Sequence, residues 1–171
     1  MIIMIIVLIV FIGIDLGSKY AIMATMELGE RVEIIPNILT FIYTTNEGAS
    51  FGMFSGEAWL LLGVSTIVTL GMIAFLILNK FDSKFFNYSL TLIVAGGAGN
   101  LYDRFVYGYV RDFIDYTFLE TWFNINFAIC NMADVFLSVG CVLLCVFVLF
   151  VYKEKPKEED SKKEDSKEES T

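Results

Sequence analysis

Residues 58 to 79 read AWLLLGVSTIVTLGMIAFLILN, twenty-two positions without one charged side chain. A bilayer core needs about 20 mostly apolar residues per helix. Such a stretch predicts a transmembrane span, and the chain on either side repeats the pattern. Met1 to Met26 is apolar apart from Asp15 and Lys19, and the stretches 85 to 102 and 135 to 152 carry no charge in 18 residues each. The expected fold class is therefore a mainly α membrane protein with four transmembrane helices. The first stretch lacks a basic leading region and runs on past Asp15 and Lys19. It is read as a retained helix rather than a cleaved signal peptide.

Composition agrees. Of 171 residues, 56% are hydrophobic and 19% charged, and the mean hydropathy is +0.66, so too little polar surface is available to cover a soluble globule. Histidine is absent, which excludes a Ser/His/Asp triad, a Cys/His dyad and the usual histidine-bearing zinc sites. The net charge of -8 belongs mostly to the body of the chain: residues 153 to 171 hold 6 Lys against 8 acidic residues, the rest 6 Lys or Arg against 12. Nothing in the body forms the basic patch that nucleic acid requires. Cys130, Cys141 and Cys145 show no disulfide or zinc spacing, and the last two are read as small hydrophobes on one helix face.

Topology follows from the short connections. Lys80 and Lys84 flank spans two and three, and Lys153, Lys155 and Lys157 follow span four, whereas residues 27 to 57 hold one Arg against five Glu. The positive-inside rule places both termini in the cytoplasm and the connections 27 to 57 and 103 to 134 outside. Arg31 to Phe54 is rich in β-branched and aromatic residues and punctuated by Pro36 and Gly48, which predicts short strands on the membrane surface. Tyr116, Phe118, Trp122, Phe123 and Phe127 predict a segment settled at the headgroup interface. The repeated KEEDS, KKEDS and KEES of the tail predict a solvated, disordered cytoplasmic segment from 153 to 171.

An ionisable residue inside a span is a functional hypothesis by default. Asp15 and Lys19 are four apart and share a helix face. With this topology Asn100, Asp103 and Arg104 at the end of span three, Asn131 and Asp134 at the start of span four, and Asn46 in the outer connection all reach one membrane surface. Asp112 and Asp134 are 22 residues apart in a connection that leaves and re-enters the membrane there. If they meet, repulsion and burial would raise one pKa and give the acid and base of an aspartyl peptidase. Spacing alone leaves other partners open: Asp134 as a helix cap, and Asp112 paired with Arg104 or Arg111. A proton-coupled transporter built on Asp15 and a non-catalytic assembly partner are the competing readings from other classes.

Taken in order, Asp15 with Ser18 and Lys19, TNEGASFG at 45 to 52, AGGAGNLYDR at 95 to 104, VRDFID at 110 to 115 and NMAD at 131 to 134 together resemble the lipoprotein signal peptidase (type II signal peptidase) family of bacteria. The resemblance implies a catalytic dyad of Asp112 and Asp134. It also implies site-shaping roles for Asp15, Lys19, Asn46, Gly48, Gly96, Asn100, Arg104 and Asn131. The implied enzyme is a single-copy aspartic endopeptidase of the cytoplasmic membrane. It needs no metal or cofactor, and with membrane lipids around it cuts a diacylglyceryl-modified prolipoprotein before its lipidated cysteine. The resemblance further implies that residues 31 to 54 form a small extracytoplasmic β-cradle. Two positions depart from the family pattern: Cys130 stands where Phe is usual, and Arg111 where an apolar residue is common.

Overall fold

The computed structural model describes residues 2–48, 58–78 and 83–151. The expected loop around residues 79–82, the end of the outer connection from 49 to 57 and the charged tail lie outside the described residues. The elements run α1 (Ile2–Thr25), β1 (Arg31–Ile35), β2 (Leu39–Asn46), α2 (Ala58–Leu78), α3 (Lys84–Tyr107), β3 (Val110–Asp115), α4 (Thr117–Phe123) and α5 (Met132–Val146), the last continuing through a π-helical turn at Phe147–Val151. The architecture is mainly helical with one small antiparallel sheet.

At 1.5 Å per residue, the 24 residues of α1 span about 36 Å, enough for a hydrocarbon core about 30 Å thick. Helix α1 and the run Met132–Phe150 are both long and apolar enough to cross a membrane, and a shorter apolar stretch covers Leu62–Leu78. Much of this apolar surface faces outward: Ile2, Ile6 and Ile9 on α1, Trp59 and Ile67 on α2, and Leu149 and Phe150 after α5 are exposed. An outward apolar coat is what a lipid-facing helix requires.

Helix α3 is the hub, packing against α1, α2 and α5. It buries Ser89, Thr91, Asn100 and Asp103 among its apolar residues, so its polarity is turned inward. Its glycines make the crossings close. A methyl group on Gly96 would collide with the carbonyl oxygen of Ala133 and come within 2.8 Å of Leu137. One on Gly99 would strike the Asp15 carboxylate, and one on Gly140 of α5 would meet the Ser89 carbonyl at 2.9 Å. Without Cβ atoms there, α3 lies against α1 and α5 at backbone distance.

The helix boundaries shift from those read off hydropathy in a direction that matters. Helix α3 runs five residues beyond position 102 and takes Asp103 and Arg104 into its last turns. It stops at Gly108, whose φ of 81° provides the left-handed cap and whose N–H donates to the Arg104 carbonyl. Helix α5 begins three residues early, with Asn131 as N-cap. In both places the polar residues excluded by a hydropathy window are helical because their side chains find buried partners.

The sheet order is β1-β2-β3, with β2 pairing to both neighbours in antiparallel fashion. Two strands fall inside the region expected to be β-rich. The third was not anticipated, because Arg111, Asp112 and Asp115 give VRDFID no clean alternation. Five of its six residues are buried nonetheless. Strand β3 sits between β2 and the segment before α5, where Cys130 donates to the Ile114 carbonyl and its own carbonyl accepts the N–H groups of Phe113 and Ile114. Beneath the sheet Ile22, Tyr43, Phe113 and Ile114 form one apolar cluster, and Phe86, Leu90 and Phe147 form another at the opposite end of the bundle. The aromatic segment after β3 contains the short helix α4, with Trp122 and Phe123 exposed.

Candidate active site

Strand β3 and the N-terminus of α5 bring Asp112 and Asp134 to one cavity of about 280 Å³, lined also by Asn46, Asn100, Arg104 and Cys130, with Phe127 and Leu137 on its apolar side. The local reasons are separate. Asp112 is delivered by pairing with Thr44 on β2. Asp134 is the third residue of α5 and completes a capping box with Asn131, which satisfies two backbone N–H groups that a helix start leaves open. Asp134 therefore caps the helix and lines the cavity at once.

Each oxygen of the two carboxylates accepts one N–H. Asp112 Oδ1 accepts from Asn131 Nδ2 at 2.6 Å and Oδ2 from Asn46 Nδ2 at 2.9 Å. Asp134 Oδ1 accepts from Asn100 Nδ2 at 2.7 Å and Oδ2 from the Asn131 backbone N–H at 3.0 Å.

The three asparagine amides cannot turn round, because each carbonyl oxygen is pinned by a group that only donates. Asn46 Oδ1 accepts from the Gly48 N–H at 3.0 Å, and Asn131 Oδ1 from the Asp134 N–H at 3.1 Å. Asn100 Oδ1 accepts from Lys19 Nζ at 2.9 Å and from Asn131 Nδ2 at 3.0 Å. All three NH₂ groups must then face the carboxylates. This assigns a task to Lys19 and to Gly48, neither of which touches Asp112 or Asp134 through a hydrogen bond.

Asp15 and Lys19 are fully buried and 2.8 Å apart. The other Asp15 oxygen accepts the Ala133 N–H at 2.8 Å, which ties α1 to the start of α5 one residue before Asp134. Arg104 reaches the Gly48 carbonyl at 3.4 Å and stands beside both carboxylates in the cavity wall. Gly96 does not line the cavity. It lies under Ala133 and Leu137, where it sets the approach of α3 to α5. Of the residues expected at the site, Asn46, Asn100, Arg104, Asp112 and Asp134 line the cavity, while Gly48, Asn131, Asp15, Lys19 and Gly96 lie behind its wall.

Asp112 is held up to about 7 by burial first and by the Asp134 charge second, against the lowering effect of the Asn46 and Asn131 hydrogen bonds and of Lys19. Near neutral pH one such buried group retains a proton that an ordinary aspartate has lost. Cys130 is also in the cavity wall, but burial and the two neighbouring aspartates push its thiol up to about 12, so it is not a nucleophile at neutral pH. Cys141 and Cys145 are exposed on the helix surface, as small apolar residues would be. Among the described residues no group of His, Cys, Asp or Glu side chains is arranged to hold a metal ion.

Neither basic side chain weighed as a partner for Asp112 takes it by hydrogen bond. Arg111 turns away to Asp103, with Nη2 to Oδ1 at 2.7 Å and Nε to Oδ2 at 3.2 Å, and its guanidinium lies 4.5 Å and 4.6 Å from the ring centres of Tyr20 and Tyr107. This buried pair had no role assigned from sequence. The available signal was the cluster of charges Asp103, Arg104, Arg111, Asp112 and Asp115 on either side of a glycine that turns the chain.

A model of the signal peptidase II family matches residues 6–150. The chain is 34% identical to the lipoprotein signal peptidase of Clostridium tetani over 85% of its own length and 91% of that protein. It is 41% identical to the one from Trichormus variabilis, covering 77% and 79%. A solved bacterial membrane enzyme superposes with a TM-score of 0.79 at 30% identity, covering 91% of this chain and 94% of that one. A second, at 31% identity, gives a TM-score of 0.76 over 86% and 92%. The matched span runs from the first helix through both strands that carry the cavity to the π-turn of the last helix, and on that footing the chain belongs to the signal peptidase II family.

Proposed function

We propose that this chain is an aspartyl endopeptidase that removes the signal peptide of diacylglyceryl-modified prolipoproteins, cutting before the lipidated cysteine, with Asp112 and Asp134 as the catalytic dyad. The observation that carries the reading is the shared cavity, in which two carboxylates from different elements face one space with each oxygen already held by an N–H donor. The site's remaining residues act through those two: Asn46, Asn100 and Asn131 by donating to them, Gly48 and Lys19 by fixing the amides, Asp15 and Gly96 by seating α5. Arg104 faces the substrate space.

The dyad works with one proton. Asp112 carries it, and the Asp134 carboxylate takes a proton from water as the water oxygen attacks the scissile carbonyl carbon. Asp112 gives its proton to the carbonyl oxygen, forming a tetrahedral diol. Asp134 then protonates the leaving amine as the C–N bond breaks, and the diol proton returns to Asp112. No metal or cofactor enters the cycle.

All four long helices cross the membrane in this reading, with both termini cytoplasmic and the sheet and α4 at the outer face. The cavity then lies at the interface, where a substrate keeps its acyl chains in lipid while its peptide meets water. The polar inner face of α3 is compatible with a span, because its buried groups are all satisfied within the bundle. One copy of the chain suffices for this site.

The test is cleavage of a synthetic diacylglyceryl-modified prolipoprotein by detergent-purified protein, with Asp112→Asn, Asp134→Asn and a chelator control. Cutting before the modified cysteine that survives the chelator and is lost in both variants is the expected result. Near wild-type turnover in either folded variant overturns the dyad.

A further inference from the structure

We propose that Arg111 is a positioning residue that sets both carboxylates of the dyad through the buried carboxylate of Asp103; the inference rests on the aspartyl reading above. Asp103 is fully buried and faces two cations. Arg111 holds it through a two-point guanidinium contact, and the Arg111 backbone N–H also donates to Asp103 Oδ2, at 3.0 Å. Lys19 stands off at 3.5 Å.

That difference decides what Lys19 does. Its ammonium lies 2.8 Å from Asp15 and 2.9 Å from Asn100 Oδ1. Two buried carboxylates, Asp15 and Asp103, compete for it. Because Arg111 satisfies Asp103, Lys19 remains on Asp15 and Asn100, and the four side chains sum to zero charge in a space where an uncompensated ion is costly. Remove the Arg111 charge and Asp103 becomes a buried anion left with Lys19, 3.5 Å away, as its remaining cation. Drawn toward Asp103, Lys19 leaves the Asn100 carbonyl, and the amide that donates to Asp134 loses the group that fixes its direction.

The second route is along the backbone. Asp112 is the residue after Arg111, and the Asp103 contact to both the Arg111 side chain and its N–H fixes that point of β3 against the end of α3. Tyr20 and Tyr107 each set a ring centre within 4.6 Å of the guanidinium, which favours this placement. One side chain thereby governs Asp112 through the strand and Asp134 through Lys19 and Asn100. The route through Lys19 travels by charge, so a charge-balanced variant separates it from packing.

The experiment compares Arg111→Gln, Arg111→Lys, the charge-balanced double variant Asp103→Asn/Arg111→Gln and Asp112→Asn in the lipopeptide assay, with kcat and KM determined separately. Arg111→Gln is expected to lower kcat about 10- to 100-fold, the cost of displacing catalytic groups by about an ångström, with KM within about threefold. The double variant recovers about tenfold or more of that loss, and Arg111→Lys stays within about tenfold of wild type. Arg111→Gln within about twofold of wild type overturns the proposal, as does a folded double variant no better than the single. If Arg111→Gln fails to accumulate as folded protein, the double variant decides alone: folded and active supports charge balance, folded and inactive refutes it. Turnover by Asp112→Asn would instead remove the dyad reading on which the inference stands.

Discussion

Replacing Asn46 by Ala isolates one hydrogen bond at the dyad. Asn46 Nδ2 donates to Asp112 Oδ2 at 2.9 Å, and the amide is fixed by the Gly48 N–H. A donor favours the charged form of its acceptor, so this bond lowers the Asp112 pKa, working against the burial and the Asp134 charge that hold it at about 7. Hydrogen bonds to charged groups contribute about 1.5–3 kcal/mol, and one pKa unit corresponds to about 1.4 kcal/mol, which sets a range of about one to two units. Asn46 is only half-buried and borders an open cavity, so water replaces part of the lost donor and the lower end applies. The proton on Asp112 is the one given to the carbonyl oxygen, so activity falls as pH rises through its pKa. Asn46→Ala should move that alkaline limb upward by about one unit, measured as kcat/KM against pH on the purified enzyme with a lipopeptide substrate. A limb that stays in place, or moves down, would refute the assignment of Asp112 as the protonated partner.

Two further outcomes are expected. Asp112 carries a folded-state pKa raised from 3.8 to about 7, so the native state binds more protons than the unfolded state between those values and stability falls as pH rises through that window. Asp112→Asn, which removes this titration, should therefore melt several degrees above wild type at pH 8 in a detergent thermal scan, with the gap closing toward pH 4; a gap independent of pH contradicts the linkage. Gly96→Ala forces a methyl group into the Ala133 carbonyl, whereas Gly13→Ala meets nothing within 4 Å, so the first should destabilise by about 1–3 kcal/mol and the second change little, as read from paired melting curves. Equal melting temperatures would show that α3 and α5 do not pack as closely as described.

The sites where reading the sequence stopped short have specific causes. Hydropathy located all four long helices but misjudged two ends, since Asp103, Arg104 and Asp134 are polar and nonetheless helical and Asn131 is the polar cap of α5. The β-branched stretch of β2 announced itself, whereas β3 did not, because burial on both faces replaced the alternation that a half-exposed strand displays. Asp112 and Asp134 stood out as carboxylates arriving at one surface, and their motif context gave the family. What spacing left open, whether Asp112 would pair with Arg104 or Arg111, depended on which way one strand faced.

Apolar content, the absence of histidine and the placement of few charges determined by themselves that this chain is a helical membrane protein whose polar groups collect at one end. Those are consequences of transfer free energy, which composition and order along the chain suffice to express. The tertiary structure alone decided the hydrogen-bond direction of Asn46, Asn100 and Asn131, the commitment of Arg111 to Asp103, and the division of Lys19 between Asp15 and Asn100. These choices are made among partners as far as 81 residues apart. They depend on ångström-scale distances in a buried space, where each donor must find an acceptor and each charge its counter-charge, and no local pattern in the sequence encodes which one it finds.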